Sequence, residues 1–140
     1  MEIRSAESRD VETMLSLTAE VVGTVRAETV LRSHLERHHV LVAVDDDRVV
    51  GLLAFRTDWF GCTYVSVVSV HKDARRRGIA RALYRRVEDM TPSPRLFSST
   101  EETNGVSIRM HAGLGFVPSG HIDNLPQGYR ELLFYKRLAP

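Results

Sequence analysis

Cysteine is almost missing from this 140-residue chain: Cys62 stands alone. A lone thiol makes no internal disulfide and no multi-cysteine metal cluster. It fits a reducing compartment, and nothing in the sequence marks a partner base that would make it a nucleophile. His34, His38 and His39 have no acidic or cysteine partner at metal-ligand spacing, so no metal is expected. Long apolar runs are absent too. None approaches the roughly 20 residues of a membrane span, and Met1-Glu2-Ile3-Arg4 lacks the apolar core of a secretion signal. The expectation is a cytoplasmic protein without a membrane partner. Neither G-x-x-x-x-G-K-[ST] nor G-x-G-x-x-G occurs, which excludes the commonest ATP, GTP and dinucleotide loops.

What is present is ordinary in bulk and uneven in detail. The length suits a single domain over 1–140 with a core of its own. The chain is 43% hydrophobic and 26% charged, with a net charge of +1. That balance does not point to nucleic acid, yet Lys72, Arg75, Arg76, Arg77, Arg81, Arg85 and Arg86 crowd into fifteen positions. The crowd sits between two patterned segments. Before it, Thr63-Tyr64-Val65-Ser66-Val67-Val68-Ser69-Val70 is β-branched and strand-like. After it, Ile79, Leu83, Val87 and Met90 recur at helical spacing. A strand, a basic turn with one glycine and a helix start follow one another. A helix start offers unpaired N–H groups and the positive end of the dipole, and glycine admits close approach. Together they make a seat for a phosphate or pyrophosphate.

A second informative segment is Asn104-Gly-Val-Ser-Ile-Arg-Met-His-Ala-Gly-Leu-Gly-Phe116. Asn104 is placed to cap a short helix and Gly115 to end it. Elsewhere the pattern predicts strands at Glu2–Ser5, His39–Val44, Arg48–Thr57, Arg95–Ser99, Phe116–Ile122 and Glu131–Leu138. A helix presents Val11, Met14, Leu15, Thr18, Val21 and Val22 on one face and breaks at Gly23, and a shorter one carries Leu31 and Leu35. Asp45-Asp46-Asp47 and Asp58–Gly61 read as turns, and Pro92 and Pro94 end the helix that begins near Gly78. The order β-α-α-β-β-β-α-β-α-β-β gives a mixed-sheet α/β fold with helices on both faces.

Arg75–Ala80 fits [QR]-x-x-G-x-[GA], which resembles the acyl-CoA pyrophosphate loop of the GCN5-related N-acetyltransferase (GNAT) superfamily. Asn104, Ser107, Met110, His111, Gly115 and Phe116 fill that superfamily's second signature, N-x-x-[AS]-x-x-[LM]-[YH]-x-x-x-G-F. The element order resembles the GNAT acyl-CoA N-acyltransferase fold over nearly the whole chain. Leu96–Thr100, Gly120–Leu125 and Glu131-Leu132 look like small bacterial members. The resemblance implies transfer of an acetyl group from acetyl-CoA, without a metal, to a primary amine of a small molecule or amino acid.

It also implies roles. Arg75, Arg76, Arg77, Gly78, Ile79, Ala80 and Arg81 would hold the pyrophosphate, with Lys72 near the phosphates. The main chain of Val68 and Val70 would pair with the pantetheine arm as an added strand, and the Val68 N–H would steady the thioester oxygen. Asn104 and Ser107 are carried over as cofactor-side residues. At 111, where many members have tyrosine as proton donor to the leaving thiolate, this chain has histidine, which is similar to the phosphinothricin-type amino-acid acetyltransferases. His111 is the catalytic candidate, as donor or acceptor of a proton; a packed helix histidine bonded to backbone is the other reading. No general base stands out. Glu101, Glu102 and Asp58 are near enough in sequence, but such carboxylates are mostly surface groups, and a water chain is the alternative. Trp59 and Phe60 line an acceptor pocket or lid a core. The acceptor is set by loops 23–30, 58–61 and 122–130, which match no motif. A protein N-terminus or lysine is the alternative acceptor, and a CoA-binding module without turnover the non-enzyme alternative. A nucleic-acid partner is not expected, since no readout motif or interleaved aromatics accompany the arginines. Dimers are common in the superfamily, but no residue here decides that point.

Overall fold

A computed structural model describes residues 1–138. They form β1 (Glu2–Ser5), α1 (Val11–Val22), α2 (Thr24–Leu35), β2 (Val40–Asp45), β3 (Arg48–Trp59), β4 (Cys62–Val70), α3 (Ile79–Met90), β5 (Arg95–Glu101), α4 (Gly105–Gly113), β6 (Val117–Ile122) and β7 (Glu131–Arg137). The element order is the one expected. The hydrogen-bonded strand order is β1-β2-β3-β4-β5-β7-β6, a mixed sheet of seven strands. The chain divides into two compact units, one of residues 1–56 and 66–90, the other of 57–65 and 91 onward.

In the first unit, β1, β2 and β3 run antiparallel, with Ile3 opposite Ala43 and Leu41 opposite Leu53. Two adjacent left-handed residues, Asp46 (φ 50°) and Asp47 (φ 60°), join β2 to β3. Such a pair matches the twist of a two-residue hairpin, and aspartate tolerates it. Met14, Leu17 and Leu31 from the helices pack with Val40, Val42, Leu52, Ala54 and Val67 from the strands. Gly23 (φ 85°) separates α1 from α2 without a connecting loop. The expected apolar face of α1 largely holds: Met14 and Thr18 are buried and Val11, Leu15 and Val22 pack against the core, while Leu17 joins them and Val21 is half exposed. The helix buries the Met14–Leu17–Thr18 stripe, and Val21 lies off it.

Gly51 on β3 explains how closely α3 approaches. A Cβ added there would lie 2.9 Å from Ile79 Cγ2 and 3.5 Å from the Ser69 carbonyl oxygen. Gly51→Ala is therefore expected to push the first turn of α3 outward, at a cost of about 1–3 kcal/mol. Thermal unfolding checks this as a Tm lowered by roughly 3–10 °C.

In the second unit, β4 pairs in parallel with β5 at Thr63↔Leu96 and Tyr64↔Phe97. β7 lies antiparallel between β5 and β6, with Ser98 opposite Phe134 and Ser99 opposite Leu133. Strand alternation divides β5 into two sets of side chains. Leu96, Ser98 and Thr100 are buried; Phe97, Ser99 and Glu101 are half-buried. His111 of α4 reaches the first set at Ser98. β6 is exposed throughout and carries a bulge between Pro118 and His121 around Gly120 (φ 89°), features that suit an edge strand.

Candidate active site

The basic loop leaves β4 at Val70, makes a short 3-10 turn over Lys72–Ala74, and enters α3 at Ile79. Buried Ala74 and Ile79 pin its two ends. Between them the backbone is left-handed at Arg76 (φ 65°) and again at Gly78 (φ 77°). Left-handed backbone in a turn is the setting in which successive N–H groups converge on an anion. The first helical bond of α3 runs from Ala82 N to Gly78 O, 2.9 Å. The preceding amides of Ile79 and Ala80 therefore have no carbonyl of their own helix to bond. A Cβ placed on Gly78 would meet nothing within 4 Å. The glycine is thus required by its φ, and its outward side is clear for a ligand.

The side chains of the loop are divided in use. Arg75 folds back, its Nε donating to the Val70 carbonyl at 3.3 Å. Arg77 is ion-paired with Asp45 at the end of β2, and the guanidinium holds that carboxyl below its ordinary range. Arg76 and Arg81 are exposed. Val68 and Val70 are half-buried and lie four and six residues beyond Tyr64↔Phe97, the last β4–β5 pair.

The second signature folds into α4 of the other unit. Asn104 caps the helix, its Oδ1 accepting the Ser107 N–H at 3.1 Å. His111 is 1% exposed. Its Nδ1 lies 2.7 Å from the Ser107 carbonyl oxygen and its Nε2 2.8 Å from Ser98 Oγ. A carbonyl only accepts, so Nδ1 carries the proton and Nε2 accepts from the serine. The ring stacks on Phe134 at 4.5 Å and meets the edge of Phe116. Burial pushes its pKa below the usual histidine value, and the Ser107 carbonyl partly offsets this. The same device recurs at His34, whose Nδ1 is 2.7 Å from the Val30 carbonyl and whose Nε2 is 2.9 Å from Ser66 Oγ.

A third group has no local signature in the sequence. Glu131, on β7, accepts a hydrogen bond from Ser99 Oγ at 2.7 Å, and Ser99 Oγ is 2.7 Å from Tyr64 Oη. Desolvation and the charge of Glu101 push the Glu131 carboxyl up, and the Ser99 hydroxyl moderates the shift. Trp59 stacks on Tyr64 at 4.9 Å and touches Phe97, which in turn meets Tyr135. The sequence signal was the alternation Phe97, Ser99, Glu101 against Glu131, Leu133, Tyr135, visible only once β5 and β7 are known to pair. Of the carboxylates considered from sequence, Glu102 is exposed and accepts the Arg130 N–H at 2.7 Å, and Asp58 is exposed. Phe60 is 89% exposed, while Trp59 belongs to the ring cluster. Loop 123–130 borders a hollow of about 480 Å³ whose lining includes Glu102, Asp123 and Tyr129. Among the described residues no three metal-binding side chains gather, and no helix is long and apolar enough to cross a membrane.

The family model of the acetyltransferase (GNAT) family matches residues 8–116. That span takes in both the Arg75–Ala80 loop and the α4 segment. The chain belongs to the GNAT acetyltransferase family. Among solved structures, a GNAT-family acetyltransferase from Bacillus cereus ATCC 10987 superposes with a TM-score of 0.88 at 26% identity, over 99% of this chain and 98% of that one. YncA from Salmonella typhimurium, solved with its cofactor acetyl-CoA, gives 0.84 at 22% identity, over 100% and 95%. The ribosomal-protein-S18-alanine N-acetyltransferase of Escherichia coli gives 0.83 at 16%, over 99% and 94%. Curated proteins give no sequence match. The GNAT fold is therefore the observed one.

Proposed function

We propose that this GNAT protein moves the acetyl group of acetyl-CoA to a primary amine of a small molecule. The observation that carries the cofactor reading is the loop itself: left-handed backbone at Arg76 and Gly78, then the first amides of α3, with clear space outside Gly78. This fits a pyrophosphate, which wants converging N–H donors and positive charge. The amides of Arg77 to Arg81 hold the phosphates, with Arg75, Arg76 and Arg81 supplying charge and Arg77 tying the loop to Asp45. Val68 and Val70 offer main-chain groups for strand addition of the pantetheine arm, and the Val68 N–H meets the thioester oxygen. Acetyl-CoA, when bound, supplies a carbonyl carbon activated by a good leaving group. Asn104 and Ser107 serve by fixing the start of α4.

His111 takes a different part from the one its signature position implies. Its ring is closed from solvent and both nitrogens have partners, as at His34. Such a ring works as a strut between α4 and β5, not as an acid at a leaving sulfur.

Thiol release from acetyl-CoA in the presence of primary amines tests the activity. The expected result is thiol appearing in step with N-acetylated product. Acetyl-CoA bound but untouched with every amine would instead establish a binding module without turnover.

A further inference from the structure

The hydrogen bonds around Glu131 have a fixed direction. An ionised carboxylate only accepts, so the single Ser99 proton points at Glu131 Oε2. Ser99 Oγ must then accept from Tyr64, 2.7 Å away. That leaves the lone pairs of Tyr64 Oη as the acceptor end of the chain. Burial, together with the charge of Glu131, keeps the Tyr64 phenol protonated against a partial counter-effect from Ser99. Tyr64 therefore passes a proton on and does not keep one. The terminal carboxylate is the one group of the three whose ordinary state can store it.

Resting on the acetyltransferase reading above, we infer that Tyr64, Ser99 and Glu131 form the proton relay that deprotonates the acceptor, and that the ring cluster beside it seats a primary amine with an apolar or aromatic body. An ammonium N–H donates to Tyr64 Oη. One proton moves from nitrogen to Tyr64, the Tyr64 proton to Ser99, and the Ser99 proton to Glu131. The neutral amine then forms the N–C bond while the C–S bond breaks. The second proton leaves nitrogen for the CoA sulfur, and Glu131 returns the first to water. In this account Tyr64 is catalytic, touching the substrate, and Ser99 and Glu131 act through it.

The substrate class follows from the surroundings. Trp59, Tyr64 and Phe97 present contiguous rings, which favour an apolar body and an adjacent cation. Glu101 stands directly opposite Glu131 across the β5–β7 ladder. Two like charges at that spacing disfavour each other, which a bound ammonium relieves and a substrate carboxylate worsens. Other titratable groups around Glu131 include Glu102, whose carboxylate accepts the Arg130 N–H, and His121 and Asp123, which flank its β6 partner Ile122, with Arg130 paired to Asp123 at 2.9 Å. A monoamine is therefore favoured over the corresponding amino acid.

The test uses 2-phenylethylamine and phenylalanine as probes, with acetyl-CoA, from pH 6 to 10. The full chain should acetylate 2-phenylethylamine and prefer it at least tenfold over phenylalanine. Glu131→Gln should lower kcat/KM about a hundredfold near pH 7, the usual scale for a lost general base. The deficit should shrink about tenfold per pH unit, as solvent supplies free amine, while the acetyl-CoA Kd stays unchanged. Ser99→Ala should show the same pH signature with Glu131 intact. Neither variant should lose its cooperative melt, because Glu131→Gln removes a half-buried charge while keeping the side chain's size. A loss by one constant factor at every pH would overturn the relay. Binding of acetyl-CoA without transfer to 2-phenylethylamine would overturn the amine assignment. Failure to bind acetyl-CoA at all would overturn the acetyltransferase reading itself.

Discussion

Gly78→Glu is expected to weaken acetyl-CoA binding by a hundredfold or more. The residue sits at φ 77° between two basic residues and the first turn of α3, with nothing within 4 Å of where its Cβ would be. A side chain placed there extends into the space that the loop amides face. A carboxylate about 5 Å from one phosphate charge costs about 3 kcal/mol at an effective dielectric near 20, which alone exceeds a hundredfold in Kd. Gly78→Ala separates strain from charge. Its left-handed alanine costs about 1–2 kcal/mol and should weaken binding far less than glutamate. Both proteins should retain the parent's far-ultraviolet circular dichroism, because the loop is exposed and buries no side chain at 78.

His111→Ala is expected to damage stability before it damages chemistry. It removes a ring stacked on Phe134 and edge-on to Phe116 and leaves Ser98 and the Ser107 carbonyl without their imidazole partners. Cavity and lost hydrogen bonds together cost about 3 kcal/mol, or a Tm lowered by roughly 10 °C. The parent also carries a pH signature. Because burial holds the folded His111 below its ordinary value, the unfolded chain binds the proton first as pH falls. Stability from this site is complete above the ordinary histidine range near pH 6.5. It declines as the pH drops from there toward the lower folded value, and His111→Ala should flatten that decline. An unchanged Tm with abolished turnover would instead assign His111 to the chemistry.

Much of this was readable in the residues, for reasons that are local. Two aspartates between β-branched runs specify a hairpin turn, and the structure places both in left-handed backbone. Asn104 before a short helix is a cap, and the Ser107 N–H confirms it. Gly78 ahead of a periodic apolar stripe marks a helix start. What escaped the sequence depends on neighbours far along the chain. The Tyr64–Ser99–Glu131 chain joins residues 35 and 32 positions apart, and only the β4-β5-β7 order brings them together. Gly51 looks like any strand glycine until Ile79 is found beside it. The turn expected from Asp58 is tighter, because β3 continues through Trp59, and the chain reverses at Phe60 and Gly61, both left-handed. His111 matches a signature by position, whereas its partners Ser98 and Phe134 are connected to it by no spacing rule.

The Arg75–Ala80 loop as an acetyl-CoA seat carries everything that follows from it. Calorimetric titration of acetyl-CoA into the purified protein, beside the folded Gly78→Glu variant, addresses it most directly. Saturable binding at one site in the parent and none in the variant over the same concentrations is the expected result. No binding by the parent, or equal binding by both, would contradict it.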